Sequence, residues 1–437
     1  MKKIEYKQLK ETLYHETLPN GLDVYVLPKQ GFAKTYATFT TKYGSIDNTF
    51  QVPGKEKVHV PDGIAHFLEH KMFEQESGED VFQSFSRQGA SANAFTSFTR
   101  TSYLFSCTDQ VENNLTTLLN YVQSPYFTDE NVEKEKGIIG QEIRMYDDNA
   151  DWRVYFGLIE ALYQNHPVKI DIAGTVESIA KITKETLYTC YNTFYHPSNM
   201  LLFVIGAVDP QRIFQLVTEN QAQKKFEPQG EIQRFFDKEP DVVAEKRKEM
   251  RLSVNAPKCY FGFKEAPIAV GVSGDEMLKM ELTTQLFMES LVGSSSELYQ
   301  SLYDEGLIDD SFGHDYSIEQ GYGFTMMGGD TRKPDELVAR IEELFPQKVK
   351  KGISAEEFEL VKKKKIGSVL RSLNSVEWIA NQFTSYRFHD SDLFQMIPTL
   401  ESITLEDVNS RMREHIDFAR FAVSTVRPLE QLTKPTV

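Results

Sequence analysis

The amino-acid sequence predicts an α+β fold made of two related units of about 200 residues each. Two observations carry this expectation. Strand-like runs, β-branched and aromatic with partial alternation, interleave with helix-like runs along the chain. Two segments of the first half also return in the second. FTDENVEKEKGIIGQE at 127–142 resembles ISAEEFELVKKKKIGS at 353–368, and ITKETLYTCYNTFYHPSNMLLFVIG at 182–206 resembles ITLEDVNSRMREHIDFARFAVST at 403–425. Both pairs share a capped helix entry, and the second pair shares a helix followed by an apolar strand.

In chain order, 22–27 (LDVYVL) and 35–43 (TYATFTTKY) read as strands. A polar stretch, 44–61, precedes a helix for which Asp62 is a candidate N-cap. Residues 79–88 read as a helix with Gly89 as its C-terminal stop. Residues 90–98 and 101–107 suggest a hairpin, and helical patterns follow at 110–123, 129–148 and 183–195. Met200 to Gly206 (MLLFVIG) is a buried strand. Around 220–250 the chain turns polar, with two Pro and one Gly in its core stretch. A strand near 259–264 then leads into helices near 275–291, 296–305, 333–347, 354–373 and 404–415, and a strand at 419–425 closes the pattern. The expected division is a first domain over 1–225, a linker over 226–250 and a second domain over 251–437.

A chain of 437 residues, 40% hydrophobic and 26% charged, has ordinary globular composition. Its net charge of −16 argues against nucleic acid, whose binders need basic surface. Three scattered cysteines (Cys107, Cys190 and Cys259) form no disulfide framework. No apolar run approaches the roughly 18 residues of a membrane span, and the lysines of the start are followed by no apolar stretch. A cytoplasmic protein without membrane contact is the default expectation.

Chemistry concentrates in His66-Phe67-Leu68-Glu69-His70. On a helix, positions i, i+3 and i+4 share one face, so His66, Glu69 and His70 converge there. Two imidazoles one turn apart suit zinc, and the carboxylate beside them is placed to take a proton from bound water. Ile64, Phe67, Leu68 and Met72 lie off that face and leave it free. A catalytic zinc site needs a third protein ligand. The helix at 129–148 offers Glu142, set in an apolar stripe of Ile138, Ile139, Met145 and Tyr146, where an unpaired carboxylate is costly. Glu135, two turns earlier on nearly the same face, is a candidate for the catalytic group that orients Glu142. The second copy carries no such motif, so any metal chemistry belongs to the first.

H-x-x-E-H is the inverted zincin motif, and here it resembles the pitrilysin, insulinase and mitochondrial processing peptidase family. The resemblance extends to Glu142 as the downstream ligand and to Glu135 seven residues before it. It also covers Gly89-Ala90-Ser91-Ala92-Asn93-Ala94-Phe95-Thr96 followed by Thr101 and Tyr103, then His166-Pro167, Gly174-Thr175, Tyr195-His196-Pro197 and Asn199-Met200. It implies two related domains, each a mostly antiparallel sheet with helices packed on it, like half of a processing-peptidase clamshell. It implies one zinc ion per chain held by His66, His70 and Glu142. It further implies an edge strand around Asn93, Ala94 and Phe95 that pairs with substrate backbone. The implied reaction is peptide-bond hydrolysis by Glu69-assisted attack of zinc-bound water.

The chain departs from the family in its second half. The family segment S-R-L-x-x-x-L-R-x-x-x-G-L-x-Y resembles Ser296 to Asp309, which is one residue shorter between the second Arg position and the Gly, with Leu298, Leu302, Gly306 and Leu307 in place. Its second Arg position holds Tyr303 and its Tyr position holds Asp309. A phenol or a carboxylate does not replace a guanidinium at a substrate carbonyl. The expectation is a heterodimer in which a metal-free paralogous subunit supplies Arg and Tyr. The alternatives are a homodimeric peptidase active alone, or a non-catalytic assembly subunit.

Overall fold

The computed structural model describes residues 1–267 and 271–429. They form two compact units, each built around its own sheet. The first takes residues 1–143, 170–236 and 371–388, and the second takes 144–169, 237–370 and the chain from 389 onward.

The first unit's sheet has seven strands in the order Lys2–Tyr6, Glu11–Thr17, Asp23–Pro28, Met200–Gly206, Thr35–Thr41, Thr101–Cys107 and Ala90–Thr96. Every pairing is antiparallel except Asp23–Pro28 beside Met200–Gly206. The two central strands, Thr35–Thr41 and Met200–Gly206, are buried at every position. That burial explains why MLLFVIG is continuously apolar rather than alternating. Ala90–Thr96 is the outermost strand on its side, as the edge-strand expectation requires.

The second sheet runs Arg247–Leu252, Phe421–Pro428, Lys258–Phe263, Tyr322–Asp330, Gly313–Glu319. Its one parallel pair joins Arg247–Leu252 to Phe421–Pro428. This order repeats the last five positions of the first sheet, parallel pair included; the first unit adds the N-terminal hairpin and a small sheet of Gln233–Arg234, Thr49–Gln51 and Val58–His59. The repeat heard faintly in the sequence is a repeat of topology, and the α+β expectation of two related domains holds.

The chain passes between units after residues 143, 169, 236, 370 and 388. Helix Ala150–Leu162, from the first half of the sequence, packs on strand Phe421–Pro428. Helix Val376–Arg387, from the second half, packs on Thr35–Thr41 and Met200–Gly206. Each unit therefore borrows a helix from the other half of the chain. Within the polar stretch around 226–250, Gln233–Arg234 pairs with Thr49–Gln51, while Arg247–Leu252 joins the second sheet. Among the described residues no helix is long and apolar enough to cross a membrane.

Candidate metal centre

The motif occupies helix Ile64–Lys71 in the first unit. Its start is set by Gly63, whose φ is 84° and where a Cβ would lie 2.3 Å from the Ala173 carbonyl oxygen. Asp62 is not the cap expected of it. Its carboxylate is engaged by Asn48 at 2.8 Å, and its carbonyl accepts from Ser178 Oγ at 2.9 Å. Ile64, Phe67, Leu68 and Met72 are at most 3% exposed. Their burial fixes the helix's rotation and turns His66, Glu69 and His70 to the opposite side.

Helix Asp129–Asp147 brings Glu142 to that side. Glu142 Oε1 lies 3.7 Å from His66 Nε2, and Oε2 lies 3.6 Å from His70 Nε2. One ligand atom from each of the three residues falls within 4.8 Å of the others. A tetrahedral ion with bonds of about 2.0–2.1 Å separates its ligands by about 3.3–3.4 Å. The donor set fits zinc, and both Glu142 distances lie close to that spacing.

The stripe expected around Glu142 is not the buried one. Ile138 and Met145 are 46% and 59% exposed, and the buried line is Val132, Glu135, Ile139 and Ile143. Glu142 stands at the edge of that line, half-buried. Periodicity finds apolar lines on a helix, but which of two neighbouring lines meets the core depends on the partner surface.

Glu135 is buried and sits 3.1 Å from His70 Nδ1. If Nδ1 donates there, the Nε2 lone pair is left on the Glu142 side, the arrangement metal-ligating histidines use. Lys71 is fully buried, 2.8 Å from Glu74 and 3.6 Å from Glu135. His66 Nδ1 is buried without a hydrogen-bond partner among the described residues. Burial and the neighbouring His70 push the His66 imidazole down to about 4, so it is a neutral donor at pH 7. Burial also works on His70, but the Glu135 hydrogen bond and the charges of Glu69, Glu142 and Glu135 outweigh it and hold His70 above its ordinary value. Glu69, Glu74, Glu135 and Glu142 stand against the single ammonium of Lys71, so carboxylates outnumber lysines here. A divalent cation is the natural complement to that excess.

Glu69 is 8% exposed, and burial raises its carboxyl above the usual range. Its Oε2 accepts a 2.8 Å hydrogen bond from Thr96 Oγ1 at the end of the edge strand. Asn93 on that strand is exposed, with Oδ1 accepting from the Ala94 amide, and Ala94 and Phe95 are half-buried. In the second unit Tyr303 is 44% exposed. Asp309, also exposed there, accepts from the Ser311 amide and hydroxyl. Sequence reasoning passed over Thr96 and Lys71. The alternation of Ala90, Ala92, Ala94 and Thr96 places Thr96 on one face of its strand, but its partner is set by how the strand packs on the motif helix; a lysine beside His70 gave no signal.

Comparison with known proteins agrees with this picture. The family model "Insulinase (Peptidase family M16)" matches residues 59–176, and "Peptidase M16 inactive domain" matches residues 181–365. A Bacillus subtilis protein named uncharacterized zinc protease YmfH is 59% identical over 98% of this chain and 99% of its own length. A second, uncharacterized zinc protease YmxG of the same organism, is 27% identical over 81% of this chain and 85% of its own. The crystal structure of an M16-like peptidase from Alicyclobacillus acidocaldarius superposes with a TM-score of 0.92 at 42% identity, covering 96% of this chain and 99% of that one.

Proposed function

Because this chain belongs to peptidase family M16, the insulinase family, we propose that it is a zinc-dependent endopeptidase acting on peptides or unfolded segments. The observation that carries the proposal is the convergence of His66, His70 and Glu142, their ligand atoms within 4.8 Å of one another, with Glu69 beside them. Those three residues would hold one zinc ion, with Glu135 orienting His70. Zinc, when bound, supplies Lewis-acid polarisation of the scissile carbonyl and acidification of water.

The chain's own residues do the rest. Glu69 accepts the proton of the attacking water and delivers it to the leaving nitrogen. A carboxyl raised by burial suits that shuttle, because it holds a proton more readily than an exposed one. Asn93, Ala94 and Phe95 present the edge to which substrate backbone adds as a further strand. Tyr303 and Asp309 supply no guanidinium where the family has one, so a metal-free paralogous subunit completes the substrate site in a cytoplasmic heterodimer.

The test is zinc content of the purified chain together with cleavage of a quenched peptide, alone and with a candidate partner. One zinc per chain and loss of activity by about 10²–10⁴-fold in Glu69→Gln support the reading. Zinc-free protein, or activity indifferent to Glu69→Gln, overturns it. Full activity of the chain alone replaces the heterodimer by a homodimer or monomer.

A further inference from the structure

The hydroxyl of Thr96 joins the edge strand to the carboxylate of Glu69, and we propose that Thr96 is the positioning residue that holds this base for the reaction. The inference rests on the zinc-peptidase reading and deepens it. Residues Ala90, Ala92, Ala94 and Thr96 share one face of strand Ala90–Thr96, since side chains alternate with period two. Three alanines keep that face low, and the strand packs against the motif helix. Thr96 is the first residue along this face with a side chain long enough to reach, and it donates to Glu69 Oε2 at 2.8 Å.

The hydroxyl is committed to that contact. Thr101 Oγ1, its other neighbour, lies 3.5 Å away and gives its own proton to the Tyr43 carbonyl at 2.9 Å. Thr96 is also β-branched, so its χ1 is stiff and the donor direction is set by the strand. Among the described residues Thr96 is the hydrogen-bond partner of the Glu69 side chain, which leaves Oε1 free to accept a proton from water. Asn93, Ala94 and Phe95 run directly into Thr96. A peptide that pairs with this edge therefore orders the strand that aims the base.

The experiment compares wild type, Thr96→Val and Thr96→Ser in zinc content, steady-state kinetics on a quenched peptide, alone and with the candidate partner, and crystal structures of the zinc-loaded protein. Valine keeps the shape and removes the donor, while serine keeps the donor. In Thr96→Val, kcat falls on the order of 10–100-fold, as for a lost hydrogen bond to a charged group. KM stays within about twofold and zinc content is unchanged, and Thr96→Ser recovers most of the rate. In the zinc-loaded crystals Thr96 Oγ1 and Glu69 stay within about 2.5–3.0 Å in wild type and serine variant, and the carboxylate turns in the valine variant. An unchanged kcat in Thr96→Val overturns the assignment, as does equal loss in Thr96→Ser or a zinc-loaded wild type with Glu69 away from Thr96. Wild-type protein that binds no zinc removes the peptidase reading itself, an outcome distinct from intact cleavage that ignores Thr96.

Discussion

Both units hold a tight group of Glu and His, and the two groups are put to opposite use. In the second unit Glu265 Oε1 receives Tyr316 OH at 2.8 Å, lies 2.9 Å from His415 Nδ1 and accepts from Arg411. Arg411 and His415 stand i,i+4 on helix Leu405–His415, the same spacing as His66 and His70 on theirs. His415 Nε2 pairs with Thr325 Oγ1 at 2.8 Å, and Arg411 Nε donates to Thr284 Oγ1 at 2.8 Å. Donors converge on one oxygen, the charges offset each other, and side-chain exposure stays at 9% or less. In the first unit acids outnumber cations and His70 and Glu142 retain 28% and 21% exposure. One group is closed and balanced, which is a structural tie. The other is open and rich in acids, the character that a cation seat requires. Residue type does not separate them; charge balance and exposure do.

That contrast is open to direct attack. Replacing Glu142 with Gln should weaken zinc binding by more than about 100-fold, beyond the 10–100-fold typical of outer partners. Competition with a chelating dye measures it, and unfolding of the zinc-free protein by urea should change little. Glu265→Ala should do the reverse. It strands Arg411 and His415 and should cost about 3–5 kcal/mol in urea unfolding, with zinc stoichiometry in the folded protein unchanged. If Glu265→Ala is neutral for stability, the closed cluster is no tie.

Glu135→Gln sits between the two cases and should reduce zinc affinity by about 10–100-fold through His70.

Acid provides a fourth test. Burial works to raise the Glu265 carboxyl, but His415 and Arg411 outweigh it and hold it well below the carboxylate range. A lowered folded pKa means that the unfolded chain binds more protons as pH drops. The contribution is therefore full above about pH 4.3 and is lost as pH falls below that value. Glu265→Gln should flatten the slope of stability against pH in that acid window, as measured by urea melts. The smallest effect belongs to Tyr303→Ala: an exposed side chain should change stability by no more than about 0.5 kcal/mol. If a partner supplies the guanidinium, cleavage in its presence should be unaffected as well.

Much of the candidate centre was legible because helical spacing is local. His66, Glu69 and His70 need only the 3.6-residue period to converge. Glu142 was reached through a stripe that proved to be exposed at Ile138 and Met145, so the structure brings it beside the histidines from surroundings other than those expected. Laying 127–142 over 353–368 also puts Val361 at the Glu135 position and Ser368 at that of Glu142, which is why the second copy has no ligand set to offer. Helix Ala150–Leu162, capped by Asn149, and hairpin Gly313–Glu319 with Tyr322–Asp330 were not anticipated. Their apolar residues are interrupted by charge and glycine, and the strands they join or pack on, Lys258–Phe263 and Phe421–Pro428, lie far away in sequence.

Local order, the duplication and the two imidazoles with their carboxylate follow from the chain's own periodicities, because a face is set by residues within two turns of each other. Three things did not. The exchange of helices between the two halves of the chain, the closure of Glu265 by Arg411 and His415, and the reach of Thr96 to Glu69 all depend on contacts across tens to hundreds of residues. Such contacts are chosen by which buried surfaces fit, and no local pattern encodes that choice.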